Sequence, residues 1–291
     1  MKLVMVHGRS QEGKDPVALK KEWLDALTYG LARANASVPD DLEVAFPYYG
    51  DLLAGLVEEV NTPLGRQVNA KGPNPDASAD ADLRGQIFQE LAERAQLDDA
   101  DIRREVDDVA TEKGPGNWEW VQGALRALDR IPGLNTKVID AFTRDVFVYL
   151  TFRGVRRKID AVVQEALGDG PCVVLAHSLG TVVTYNVLYN RAASPAYPRL
   201  VTVGSPLGIR AIKSKIDAPL RSPPGVGHWF NAYDDRDLVA LAPLDEHTFG
   251  VTPAIENKSD VQNFTENRHG IAGYLADPVV AARIAEFLRG T

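Results

Sequence analysis

The sequence predicts an α/β protein with a mostly parallel central sheet flanked by helices and interrupted by a helical insertion. Three observations carry this. Cys172-Val173-Val174-Leu175 is a short, apolar, β-branched run bounded by turn residues, which reads as a strand buried on both faces, as in parallel sheets. The stretch after it changes period: Leu179, Val182, Val183, Asn186 and Val187 recur at helical spacing. Between the second and third predicted strands lie more than a hundred mostly helical residues, far beyond an ordinary strand-to-helix connection.

Taken in order, residues 2–6 form the first strand, which runs into the turn His7-Gly8-Arg9-Ser10. Lys20 to Arg33 follows as a helix with Trp23, Leu24, Leu27 and Leu31 on one face. A second strand lies within Leu42 to Tyr49, with Pro47 near its end, and strand, helix and strand at this spacing give a parallel pair with a crossover. From Asn61 to Asp80 the composition turns to Asn, Pro, Gly, Asp and Ala, the composition of a loop. Leu83, Ile87, Phe88 and Leu91 mark an amphipathic helix, and the acidic run 98–112 reads as a solvated one. Asn117 is placed to cap a helix containing Trp118 and Trp120, between breaks at 114–116 and 131–133. Further helices run through Val138 to Tyr149 and Val155 to Leu167. Residues 51–140 are thus expected to be a helical cap or lid inserted into a core made of 1–50 and 141–291. The aromatic set Trp118, Trp120, Phe142, Phe147, Tyr149 and Phe152 either lines an acyl pocket or packs cap against core.

The segment Ala176-His177-Ser178-Leu179-Gly180 joins the buried strand to the helix. A strand that enters a helix through small-x-Ser-x-Gly makes a tight turn with the serine at its apex. Its hydroxyl is exposed there, and the helix N-terminus behind it offers free N–H groups and a positive dipole end. Arg199 to Val203 is a fourth strand, ending in Gly204-Ser205-Pro206-Leu207-Gly208; residues 209–226 look irregular. A fifth strand, His228 to Tyr233, ends in Asp234-Asp235-Arg236-Asp237. Residues 241–268 read as loop with one short strand near Val261 to Phe264. His269 precedes a C-terminal helix that starts at Pro278, ends at Leu288 and is closed by Gly290.

These motifs together resemble the α/β-hydrolase-fold serine esterases and lipases, with Ala176 where the serine motif of that family usually begins with glycine. The resemblance implies Ser178 as nucleophile, Asp237 as triad acid and His269 as general base, in the nucleophile, acid, base order of the fold. Asp234 is the rival acid, His247 the rival base and Ser205 the rival nucleophile. The oxyanion hole would be the backbone N–H of Leu179 together with that of Arg9 or Ser10. His7, Gly8 and His177 would border the substrate, His7 and His177 chiefly as structural residues. The implied reaction is hydrolysis of a carboxylic ester. Thioesterase, peptidase and acyltransferase chemistry use the same triad, and a binding protein on a hydrolase scaffold is the alternative outside catalysis.

Composition bounds the rest. With 45% hydrophobic and 25% charged residues over 291 positions, the chain can bury a sizeable core. A formal net charge of -8 argues against nucleic acid as a partner, since phosphate binding needs concentrated positive charge. Cys172 stands alone, so no internal disulfide forms and it reads as a small buried hydrophobe. The five histidines are too scattered for a metal motif, and the reading calls for no cofactor. The apolar run at the N-terminus is too short for a signal peptide or membrane span, so a cytoplasmic protein is expected. Its substrate would be a small-molecule or lipid ester, and membrane surface contact would require an apolar face on the lid.

Overall fold

A computed structural model describes residues 1–62, 77–105, 118–130, 136–192, 199–240, 242–265 and 268–290. Six strands form one sheet: β1 (Lys2–Val6), β2 (Glu43–Ala45), β3 (Cys172–His177), β4 (Arg199–Val203), β5 (His228–Ala232) and β6 (Glu256–Lys258), in the order β2-β1-β3-β4-β5-β6. All five pairings are parallel, so this is an α/β architecture with a parallel sheet flanked by helices. The apolar β-branched runs are the central strands. Val4, Val174, Leu200 and Val201 are fully buried, as a sheet covered on both faces requires.

The chain divides into two compact units. The first comprises Met1–Ala54, Arg157–Gly208 and Ile216–Thr291 and holds the sheet. Its helix α1 (Pro16–Arg33) begins a turn before the expected Lys20, because Asp15 accepts a hydrogen bond from Val17 N–H at 3.0 Å and Pro16 occupies the first helical position. Trp23, Leu27 and Leu31 face the core with Leu3, Met5 and the C-terminal helices. β2 is shorter than the expected strand. Pro47 has no N–H to continue a ladder, and Tyr49 N–H instead donates to His7 Nε2 at 3.0 Å.

The second unit comprises Gly55–Arg156 and Ile209–Lys215, wider than the insertion expected at 51–140. After α2 (Gly50–Val60), which leads into it, the unit contains α3 (Ala77–Arg94), α4 (Asp99–Arg103), α5 (Trp118–Asp129) and α6 (Thr136–Thr151); α7 (Arg153–Leu167) leads back. α3 starts within the stretch expected to be loop. Asp98 caps α4 through a reciprocal pair with Asp101. Phe142, Phe147, Tyr149 and Phe152 are buried. The side chains of Trp118 and Trp120, the expected cap Asn117, the expected breaks at 114–116 and 131–133, the end of the acidic run and residues 63–76 of the expected loop lie outside the described residues.

Two expectations for the C-terminal third are corrected. The last strand is β6 at 256–258, not 261–264. Nothing apolar marks it: it is positioned by Asn257, whose Oδ1 accepts from Asn231 Nδ2 and from Leu244 N–H, both at 2.9 Å. The region 209–226 is not wholly irregular, since α9 (Arg210–Lys213) forms there. Short helices α10 (Glu246–Phe249) and α11 (Ile271–Leu275) precede the terminal helix α12 (Pro278–Arg289), which Gly290 ends at φ 84°. Among the described residues no helix is long and apolar enough to cross a membrane.

Candidate active site

The change from strand period to helix period occurs between β3 and α8 (Leu179–Asn190), and Ser178 occupies the junction at φ 54°, ψ −129°. A side chain in this region stores on the order of 1–3 kcal/mol of strain, so the surroundings must enforce it. They do so by close approach. A Cβ on Gly180 would lie 2.4 Å from the His7 carbonyl oxygen and 2.6 Å from that of Val6. A Cβ on Gly8 would lie 2.8 Å from the Ser178 Cβ. Only glycine lets the turn after β1 pass this near the serine. On the other side Ser178 N–H donates to Val203 O of β4 at 3.2 Å. Leu179 opens α8, so its N–H belongs to the helix's first turn, whose donors have no acceptor within the helix. Arg9 and Ser10 continue the turn past Gly8, Ser10 at φ 57°.

The structure brings Ser178, His269 and Asp237 into one hydrogen-bonded line. His269 Nε2 lies 2.8 Å from Ser178 Oγ, and His269 Nδ1 lies 2.7 Å from Asp237 Oδ2. Asp237 accepts at Nδ1–H, which leaves Nε2 to accept the serine proton. Asp237 is 1% exposed, and its other oxygen accepts from Val239 N–H at 2.9 Å and Ala240 N–H at 3.4 Å. Such a line can take a proton from the serine hydroxyl and stabilise the imidazolium that results.

The rival residues are occupied elsewhere. Asp234, also buried, accepts from Arg236 N–H and Asn263 N–H, both at 2.9 Å, and lies 3.6 Å from the Arg268 guanidinium. Ser205 Oγ is 2.8 Å from Thr181 Oγ1 and accepts from Leu207 N–H at 3.3 Å. His247 is solvent-exposed on α10, 3.5 Å from Glu246. His228 is exposed at the start of β5.

His7 and His177 have structural partners at both places where they were expected to border substrate. His7 is 1% exposed. Its Nε2 accepts from Tyr49 N–H, its Nδ1–H donates to Gly8 O at 2.6 Å, and its carbonyl accepts from the Tyr49 hydroxyl. Burial lowers its pKa to about 4, so the ring is neutral near pH 7. His177 Nε2–H donates to the carbonyl oxygen of His269 at 2.7 Å, with the two rings 4.8 Å apart. Burial, and then the neighbouring His269, push His177 well below the ordinary histidine range.

Two supports escape the sequence reading. The Tyr274 hydroxyl donates to Asp237 Oδ2 at 2.5 Å. Asn263 holds the histidine loop: its Nδ2 donates to Gly270 O at 2.8 Å, and its Oδ1 accepts from Thr265 N–H at 3.0 Å and Thr265 Oγ1 at 2.6 Å. The one available signal for Tyr274 is a phenol between the apolar residues Ile271 and Leu275, whose hydroxyl needs a partner once buried. No protein-family model matches the chain, and no curated protein is significantly similar to it.

Proposed function

We propose that this chain is a serine hydrolase of the α/β-hydrolase fold that cleaves carboxylic esters of small molecules or lipids through an acyl-enzyme. The observation that carries the reading is the line from Asp237 through His269 to Ser178, with Ser178 at the apex of a strained strand-to-helix turn. The parallel sheet supports it, because the residues of the line follow the carboxyl ends of β3, β5 and β6.

In the proposed reaction Ser178 Oγ attacks the ester carbonyl carbon as His269 Nε2 takes its proton. The negative oxygen of the tetrahedral species is held by Leu179 N–H and by the N–H of Arg9 or Ser10, on the turn that Gly8 brings against the serine. His269 then protonates the departing alcohol, and the acyl group remains on Ser178. Water attacks this second ester with His269 again as base, releasing the acid and restoring the serine. Asp237 keeps the imidazole in the required tautomer and stabilises its protonated form.

Labelling with a fluorophosphonate serine probe, read by peptide mass spectrometry, is expected to mark Ser178. Nitrophenyl esters of increasing chain length should be turned over. Ser178→Ala should lower kcat by roughly a thousandfold or more. Undiminished turnover in that variant overturns the mechanism.

A further inference from the structure

We propose that Tyr274 is a positioning residue that sets the proton affinity of His269 through the carboxylate of Asp237. The inference deepens the serine-hydrolase reading and rests on it for its catalytic meaning. Asp237 Oδ2 receives two hydrogens, one from His269 Nδ1 at 2.7 Å and one from the Tyr274 hydroxyl at 2.5 Å. A hydroxyl that close to a carboxylate oxygen makes a strong charge-assisted bond and draws negative charge toward itself. The same oxygen then has less charge with which to hold an imidazolium.

The phenol is fixed as a donor. Its oxygen accepts from Asp234 N–H at 3.3 Å, which orients the hydroxyl toward Asp237. Burial, and next the charge of Asp237, push its pKa well above the ordinary tyrosine range, so the proton stays on Tyr274. Among the described residues the remaining donors to Asp237 are the backbone groups of Val239 and Ala240, on its other oxygen.

The groups facing His269 leave Tyr274 this task. Ser178 approaches from the elbow, and His177, at the end of β3, is neutral where an ordinary histidine titrates. Arg268, on the same loop, directs its guanidinium to Asp234 at 3.6 Å, and Arg236 Nε lies 3.5 Å from that carboxylate. Among the described residues Asp237 is therefore the full charge hydrogen-bonded to the imidazole, and Tyr274 is the side chain that moderates it.

The test compares wild type, Tyr274→Phe and protein carrying 3-fluorotyrosine at position 274. Two readouts are taken: the acid limb of kcat/KM for a nitrophenyl ester, and the titration of the His269 ring protons by NMR, assigned with His269→Gln. Tyr274→Phe should move both midpoints up by roughly half to one pH unit with KM little changed. Fluorotyrosine, a stronger donor of the same shape, should move them down. Midpoints that stay at the wild-type value, or that move the same way in both proteins, overturn the inference. If the phenylalanine variant does not fold, the fluorotyrosine protein decides alone. The NMR titration needs no turnover, so loss of the hydrolase reading, seen as Ser178-independent activity or none, is distinguishable from failure of the Tyr274 inference.

Discussion

The two ends of the Ser178–His269 hydrogen bond are held by different forces. At the serine, backbone is pressed against backbone: Gly180 against the carbonyls of Val6 and His7, Gly8 against Ser178 itself. At the histidine, the described residues between 259 and 270 form neither helix nor strand, and polar side chains hold them instead. Asn263 spans Thr265 and Gly270, Thr265 Oγ1 accepts from Gly270 N–H at 2.8 Å, and Asp234 anchors Asn263 N–H. A steric clamp is broken by adding atoms, whereas a hydrogen-bonded one is broken by removing them.

Three changes sharpen that contrast. The largest effect is expected from Gly180→Val, which drives a side chain into two carbonyl groups that belong to β1 and its turn. We expect a loss of roughly 3 kcal/mol or more, or failure to fold, by denaturant melting. A variant as stable as wild type would mean that β1 and α8 can separate without cost.

Acid acts next, through His7 inside the steric clamp. The folded-state pKa of His7, about 4, lies below its ordinary 6.5, so the unfolded chain takes up the proton first. Its contribution is complete above pH 6.5 and is lost as pH falls toward 4, amounting to about 3 kcal/mol at the acid end. His177, shifted in the same direction, adds to the loss of stability below pH 6.5. Urea melts across this range should show wild type losing more stability than His7→Gln. Parallel pH curves for the two proteins would dismiss His7 as a source of acid sensitivity.

Asn263→Ala should cost the least, about 1–3 kcal/mol, by leaving half-buried Gly270 and Thr265 groups without this partner. Its effect on kcat, at least tenfold on the order expected for a misplaced base, should exceed its effect on KM. Equal loss in both would place the damage in substrate binding instead.

The same contrast explains what was legible. Periodicity and small residues announce the serine end: a buried strand, a change to helical spacing, then Ala176, Ser178 and Gly180 at the junction. Ser178, Asp237 and His269, singled out from the sequence with a family resemblance as guide, are the three residues the structure hydrogen-bonds in line. The histidine end has no period to read. Asn263 and Thr265 look like ordinary turn formers, Asp234 reads as a rival acid, and only their three-dimensional placement makes them a lattice. For the same reason β6, the sequence Glu-Asn-Lys, was invisible: the side chain of Asn257, not an apolar pattern, fixes it. Tyr274 lies before the predicted C-terminal helix and carries no motif, because its hydroxyl meets Asp237 across 37 residues of chain.

The brevity of the two outer strands bears on how the chain behaves in crowded solution. β2 and β6 have three residues each and are the margins of the sheet. Glu43 on one and Glu256 on the other, both well exposed, put charge at the two outer strands. A second chain seeking to add a strand would find little ladder to extend and would have to desolvate those charges to use it. The sheet that carries the serine and its partners is thereby guarded at both margins against edge-to-edge aggregation.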